Sequence, residues 1–133
     1  MTAPTVLPHV LAVQAALGTA GLTTYLGGAP PGALPKTYVV LYPGAGQATA
    51  SSLADDRTTL DALLQTTCVA STPDGALGTA DRVRGALAGT PVVAGRALWR
   101  PEELGGPPLA RDDDLTPPVY YVAVQWRLRS IPD

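Results

Sequence analysis

Between Val119 and Arg129 the side chains alternate without a break. Tyr120, Val122, Val124, Trp126 and Leu128 fall on one side; Tyr121, Ala123, Gln125, Arg127 and Arg129 fall on the other. A period of two is the signature of a strand. The first set is apolar throughout and the second becomes polar toward its end. A strand has to pair, so this segment commits the chain to a sheet. Lys36–Tyr42 predicts a second strand, with Tyr38, Val40 and Tyr42 pointing one way and Val39 and Leu41 the other. Both of its faces are apolar, which predicts cover on both. Thr58–Ala70 reads two ways. Leu60, Leu63, Leu64 and Thr67 fit a helical stripe, whereas Thr66, Thr67, Cys68 and Val69 favour a strand. The strand is preferred because a clear helix start follows directly.

That start is Thr72-Pro73-Asp74: a capping hydroxyl, proline in the first helical position, and an acid near the positive end of the helix. Leu77, Ala80, Val83, Arg84 and Leu87 then recur at helical spacing, and Gly89 and Pro91 stop the run. The predicted helix covers 73–88. A first helix is predicted over 5–18, with Thr5 as its cap and Val6, Val10, Val13 and Leu17 on one face. Short strands are expected at Leu22–Leu26 and within Pro91–Arg100. Residues 27–35, 43–52 and 101–118 read as connections. The last holds five prolines, two glycines and the run Arg111-Asp112-Asp113-Asp114. Loops of that length are uncommon in compact domains and are usually functional or disordered. No internal repeat is present. The expected fold is α+β: a single domain over 1–133, with a small mixed or antiparallel sheet flanked by two main helices and long Pro/Gly-rich loops.

Charge and rare residues narrow the function. Nine basic and eleven acidic residues give a net charge of -2. The cations are dispersed, so strong binding to a phosphate backbone is not expected. No basic amphipathic face or long apolar span predicts a membrane. The absence of Lys or Arg before Lys36 argues against a cleaved secretory signal. There is one Cys and one His. Cys68 cannot form an internal disulfide and reads as a small buried apolar residue. His9 has no companion ligand for a metal and reads as a surface or interface residue. A nucleophilic Cys68 would need a base such as His9 close by. Ser51, Ser52, Ser71 and Ser130 show no nucleophile signature. Gly44-Ala45-Gly46 lacks the further residues of a phosphate-binding loop. No cofactor, metal or catalytic residue is expected.

Two further groups stand out. Trp99-Arg100 joins the residue types enriched at protein–protein hot spots, and Trp99 stays open between core and interface, while Trp126 is assigned to the core. Asp112-Asp113-Asp114 lacks calcium-loop spacing and reads as a solvated or Arg-pairing loop, as does Asp55-Asp56-Arg57. The candidate interface residues are therefore Trp99, Arg100, Arg111, Asp112, Asp113 and Asp114.

The passage from Ser71-Thr72-Pro73-Asp74 into Ala80-Asp81-Arg82-Val83-Arg84-Gly85-Ala86-Leu87 resembles the central strand-to-helix passage of the tail terminator (tail completion) proteins of long-tailed bacteriophages. Arg111-Asp112, then Pro117-Pro118 and the strand Tyr120–Arg129, is similar to their C-terminal part. The resemblance implies a non-enzymatic ring, typically hexameric, that caps the tail tube, stops its polymerisation and presents the surface that joins tail to head. It implies as partners further copies of the chain, the tail tube protein and a neck or head-completion protein. DNA would pass the lumen without specific binding. The location implied is the virion, with the host cytoplasm during assembly. A neck or head-completion adaptor is the alternative of the same size and symmetry; a non-viral interaction domain is a further one.

Overall fold

The computed structural model describes residues 3–50, 53 and 56–133. In chain order the elements are α1 (Leu7–Thr19), β1 (Thr24–Leu26), β2 (Thr37–Pro43), β3 (Gln47–Thr49) and β4 (Thr59–Ala70). Then follow α2 (Pro73–Ala86), β5 (Arg96–Leu98), β6 (Glu102–Gly105), β7 (Ala110–Asp112) and β8 (Val119–Pro132). All the strands join one sheet. Its spine is the antiparallel pair β4–β8, in register from Leu60 opposite Ser130 to Ala70 opposite Tyr120. On the far side of β4 lie β2 and, further along, β3. β1 adds to β2 in parallel. β5, β6 and β7 pair in succession along the free side of β8.

The expected small sheet flanked by helices is therefore corrected. The sheet is large and dominates the molecule, and both helices pack on one face of it. On that face Leu64, Cys68, Trp126 and Leu128 meet Val13 and Leu17 of α1 and Ala76 and Val83 of α2. The opposite face carries no helix. A smaller cluster there, Tyr38, Val40 and Val69, is closed by Tyr25, Leu34 and Val119. The cover expected on both sides of β2 is thus real, but loops and tyrosines supply half of it. The sheet is larger than expected because segments rich in breakers pair after all.

The clearest case is 101–118, expected as a loop. β6 and β7 lie within it and form a broken edge strand on β8. Proline is tolerated on an edge, where one side of the backbone needs no partner. Register shifts between Glu103 and Gly105, where Gly105 has φ +79°. Gly106 lies so close to β8 that a Cβ there would sit 2.1 Å from the Ala123 carbonyl oxygen. Residues 106–109, between β6 and β7, and 113–118 remain irregular connections. The connection 43–52 likewise contains β3, paired from Gln47–Asp61 to Thr49–Thr59.

The helices follow local chemistry more closely. Thr72 Oγ1 accepts the Gly75 N–H at 3.0 Å, Pro73 opens α2 and Asp74 lies in its first turn. α1 starts differently from expectation. Its N-cap is Val6, without a side-chain cap, and Thr5 contributes its carbonyl to His9 instead. Among the described residues no helix is long and apolar enough to cross a membrane.

Candidate interaction surface

Trp99 follows β5 and is fixed by its backbone N–H, which donates to the Arg129 carbonyl at 3.1 Å. Its ring is half-exposed, and the Arg129 guanidinium lies 5.2 Å from the ring centroid. This favourable cation–π contact forms one wall of a hollow of about 520 Å³, which Arg84, Arg100, Glu102 and Glu103 also line. Arg84 Nε and Nη2 grip the Glu103 carboxylate at 2.7–3.1 Å, and Nη1 reaches Asp81 at 3.0 Å. Arg84 holds the Glu103 carboxyl below its usual range. Among the described residues Arg100 has no ion-pair partner. Trp99 and Arg100 are thus surface groups, with Trp126 in the core as expected.

Arg111, Asp112, Asp113 and Asp114 lie at the other end of the same edge. Arg111 Nε donates to Asp113 at 2.5 Å, and Asp112 Oδ1 accepts the Asp114 N–H at 3.0 Å. Arg111 pairs opposite Tyr120, whereas the Trp99 hollow lies beside Trp126 and Arg129. Six to nine residues along β8 separate them, roughly 20–30 Å. The structure therefore does not bring the six candidate residues into one site. The acidic run is a self-paired turn.

Two larger surfaces escape reading by motif. The outer side of α1 exposes Leu7 and Leu11, with relative exposures of 57% and 49%. No charged residue occurs before Lys36, and this is the signal that could have found the surface. The second is the helix-free face of the sheet, where Tyr42, Leu63, Leu104 and Tyr121 are exposed. Toward one end of that face Arg127 clamps Asp61 through Nε at 2.9 Å and Nη2 at 2.5 Å, and this holds the Asp61 carboxyl below its ordinary value.

His9, expected at a surface, is buried. Its Nδ1 lies 2.8 Å from the Thr5 carbonyl oxygen and its Nε2 2.7 Å from Ser130 Oγ. A carbonyl only accepts, so Nδ1 carries the proton and Nε2 accepts from the Ser130 hydroxyl. Ser130 Oγ in turn accepts from Arg96 Nε at 3.1 Å, and Arg96 Nη2 donates to the carbonyls of Thr58 and Ser130. Burial, with a smaller contribution from the Arg96 charge, pushes His9 below its ordinary value. A serine–histidine contact suggests an activated nucleophile, but this serine is fully enclosed and already satisfied. The network ties α1 to β5 and β8.

Cys68 is also buried, and burial pushes its thiol up to about 12. It lies eight positions along β4 from Leu60, the residue opposite Ser130. At strand rise it is therefore roughly 26 Å from the His9 contact. No Cys–His pair forms. Ser51, Ser52 and Asp55 lie outside the described residues; Asp56 and Arg57 have interaction partners. Among the described residues no three or more His, Cys, Asp or Glu side chains are grouped to hold a metal ion. No protein-family model matches the sequence, and no curated protein matches it.

Proposed function

We propose that the chain is a virion structural protein of the tail terminator type, which assembles into a ring on the end of a phage tail tube. Large apolar side chains left exposed on both sides of one sheet are the observation that carries this reading. A helix side bearing Leu7 and Leu11 and a sheet face bearing Tyr42, Leu63 and Tyr121 suit a subunit with neighbours on both sides. The order of elements that underlies the resemblance supports the choice of ring: α1, strands, β4 running into the Thr72-capped α2, then the proline-rich edge and β8.

In this role the chain does no chemistry. His9, Ser130 and Cys68 are enclosed and serve the fold. The ring halts tube growth by occupying the surface to which the next tube ring would add. Its other side joins the neck or head-completion protein. DNA passes the lumen without specific binding, in keeping with a net charge of -2 and dispersed arginines. The Trp99 hollow and the Arg111–Asp114 turn are candidate contacts with these partners.

The test is imaging and light scattering of the purified chain, alone and mixed with tube protein. Rings that cap tube ends are expected. A chain that stays monomeric under both conditions overturns the proposal.

A further inference from the structure

α1 is held unevenly. Its second half is anchored in the core by Val13 and Leu17. Ahead of Val10 the anchorage is a single side chain, because within 3–9 only His9 is buried. The hydrogen bonds of this stretch are otherwise internal. His9 and Val10 donate their N–H groups to the Val6 carbonyl, and His9 Nδ1 donates to the Thr5 carbonyl. Among the described residues, the contact of His9 Nε2 with Ser130 Oγ at 2.7 Å is the hydrogen bond that ties 3–9 to the rest of the fold. The turn that opens α1 is therefore fastened by a group that titrates.

That fastening depends on one proton. With His9 neutral every donor has an acceptor: Nδ1–H meets Thr5, the Ser130 hydroxyl meets Nε2, and Arg96 Nε meets the Ser130 oxygen at 3.1 Å. A proton on Nε2 turns it into a donor facing a donor. Ser130 Oγ then stands between two cations, an imidazolium and a guanidinium. Arg96 is not free to withdraw, since the carbonyls of Thr58 and Ser130 hold its Nη2. Nothing offsets the pair. His9 and Arg96 border a cavity of about 390 Å³ whose other walls, from the stretch 3–8, Thr58, the turn 93–95 and Pro132, carry no charge. Asp133 follows Pro132 and Asp56 and Arg57 precede Thr58, but none of the three lines the cavity, and Asp56 and Arg57 have partners. Among the described residues Arg96 is the charge that acts on His9. A buried cation without a partner is costly, and the imidazolium regains water only if 3–9 moves away.

We propose that 3–9 is an acid-released latch: protonation of His9 breaks its bond to Ser130, and the turn swings off the cavity while α1 from Val13 onward stays seated. In the closed latch burial, with a smaller contribution from Arg96, holds His9 below its ordinary value near 6.5, whereas the released side chain titrates at that value. The closed form is thus fully favoured above about pH 7.5. It loses ground as pH falls below about 6.5, by up to about tenfold in the closed-to-open ratio per pH unit. One copy of the chain suffices for this, so the latch is independent of any assembly role.

Backbone ¹⁵N relaxation of the full chain, followed from about pH 7.5 down to about pH 4.5, tests it. At the upper end the amides of Thr5, Leu7 and His9 are expected to have order parameters of about 0.85, as rigid backbone does. As the His9 ring resonance titrates they fall below about 0.6, while the amides of 13–17 and 122–128 stay rigid. His9→Gln keeps an acceptor for Ser130 and has no proton to take, so its turn stays rigid throughout. Ser130→Ala removes the catch, so its turn is loose at both ends of the range. Circular dichroism checks the fold of each variant, and the wild-type profile decides by itself where a variant does not fold. A turn still rigid at about pH 4.5, a turn that loosens alike in His9→Gln, or one that loosens only together with β8 overturns the proposal.

Discussion

At the scale of single residues, buried polar groups do the work of specification. His9 illustrates this through pH. In the folded chain burial holds its proton affinity below the ordinary value near 6.5, whereas the unfolded chain titrates at that value. Below about pH 6.5 the unfolded state binds a proton that the folded state refuses, so stability falls as pH drops. The contribution is complete above pH 7.5 and is lost progressively below 6.5, at up to about 1.4 kcal/mol per pH unit. Carboxylates such as Asp61 and Glu103, held low by arginines, add their own losses only below about pH 5. Thermal melts between pH 8 and 5 are expected to show the decline in the wild type. In His9→Gln, which keeps an acceptor for Ser130 but cannot titrate, the curve is flat across the same window. Thr66 makes the same point without charge. Its hydroxyl accepts the Trp126 indole N–H at 3.1 Å in the core. Thr66→Val keeps the shape and orphans that N–H. Urea unfolding is expected to show a loss of about 1–3 kcal/mol, most of it recovered in Thr66→Ser. Neither partnership could be read from the sequence, since His9 and Ser130 stand 121 positions apart and Thr66 and Trp126 stand 60 apart.

Among the elements, legibility follows the range of the interactions that decide them. α2 was readable because its start is local: Thr72, Pro73 and Asp74 supply cap, first-turn geometry and charge within three residues. β8 was readable because its alternation is continuous. β6 and β7 were not, because Gly105, Gly106, Pro107 and Pro108 signal a loop, while the pairing that makes an edge strand comes from β8, later in the chain. Glycine has opposite meanings in the two settings. At Gly106 an added Cβ meets the Ala123 carbonyl oxygen at 2.1 Å, a backbone atom that cannot step aside. Gly106→Ala is expected to pull β6 off β8, costing about 1–3 kcal/mol and speeding proteolysis within 102–109. Gly78, inside α2, has nothing within 4 Å of an added Cβ. Gly78→Ala is expected to stabilise the chain by about 0.5–1 kcal/mol, read as a higher denaturation midpoint.

For the whole molecule, the sequence led to both helices and the longer strands but missed β3, β6 and β7, and so misjudged the proportions. Helical periodicity was evident twice and two helices formed; strand content was underestimated because edge strands lack periodicity of their own. With both helices on one side of a sheet this wide, half of the sheet has to find cover elsewhere. That asymmetry also sets where the fold is strong. β4 and β8 are flanked by strands on both sides and covered by α1 and α2, and they pair continuously from Leu60–Ser130 to Ala70–Tyr120. β1, β3, β5, β6 and β7 hold three or four residues each and lie at the margins. Local opening follows buried contact and ladder length. Native-state hydrogen exchange is therefore expected to rank the amides. Those of Leu64–Cys68 and Val122–Leu128 exchange slowest, through global unfolding, with a denaturant dependence matching the equilibrium m-value. Those of β1 and β5–β7 exchange through local opening that denaturant barely alters. A slow class in β6 or β7 equal to the spine would show that the edge is integral to the cooperative core. The expected ranking instead leaves a rigid spine bearing adaptable margins. The Trp99 hollow and the Arg111–Asp114 turn both sit on such margins, where surface groups can adjust without unfolding the core.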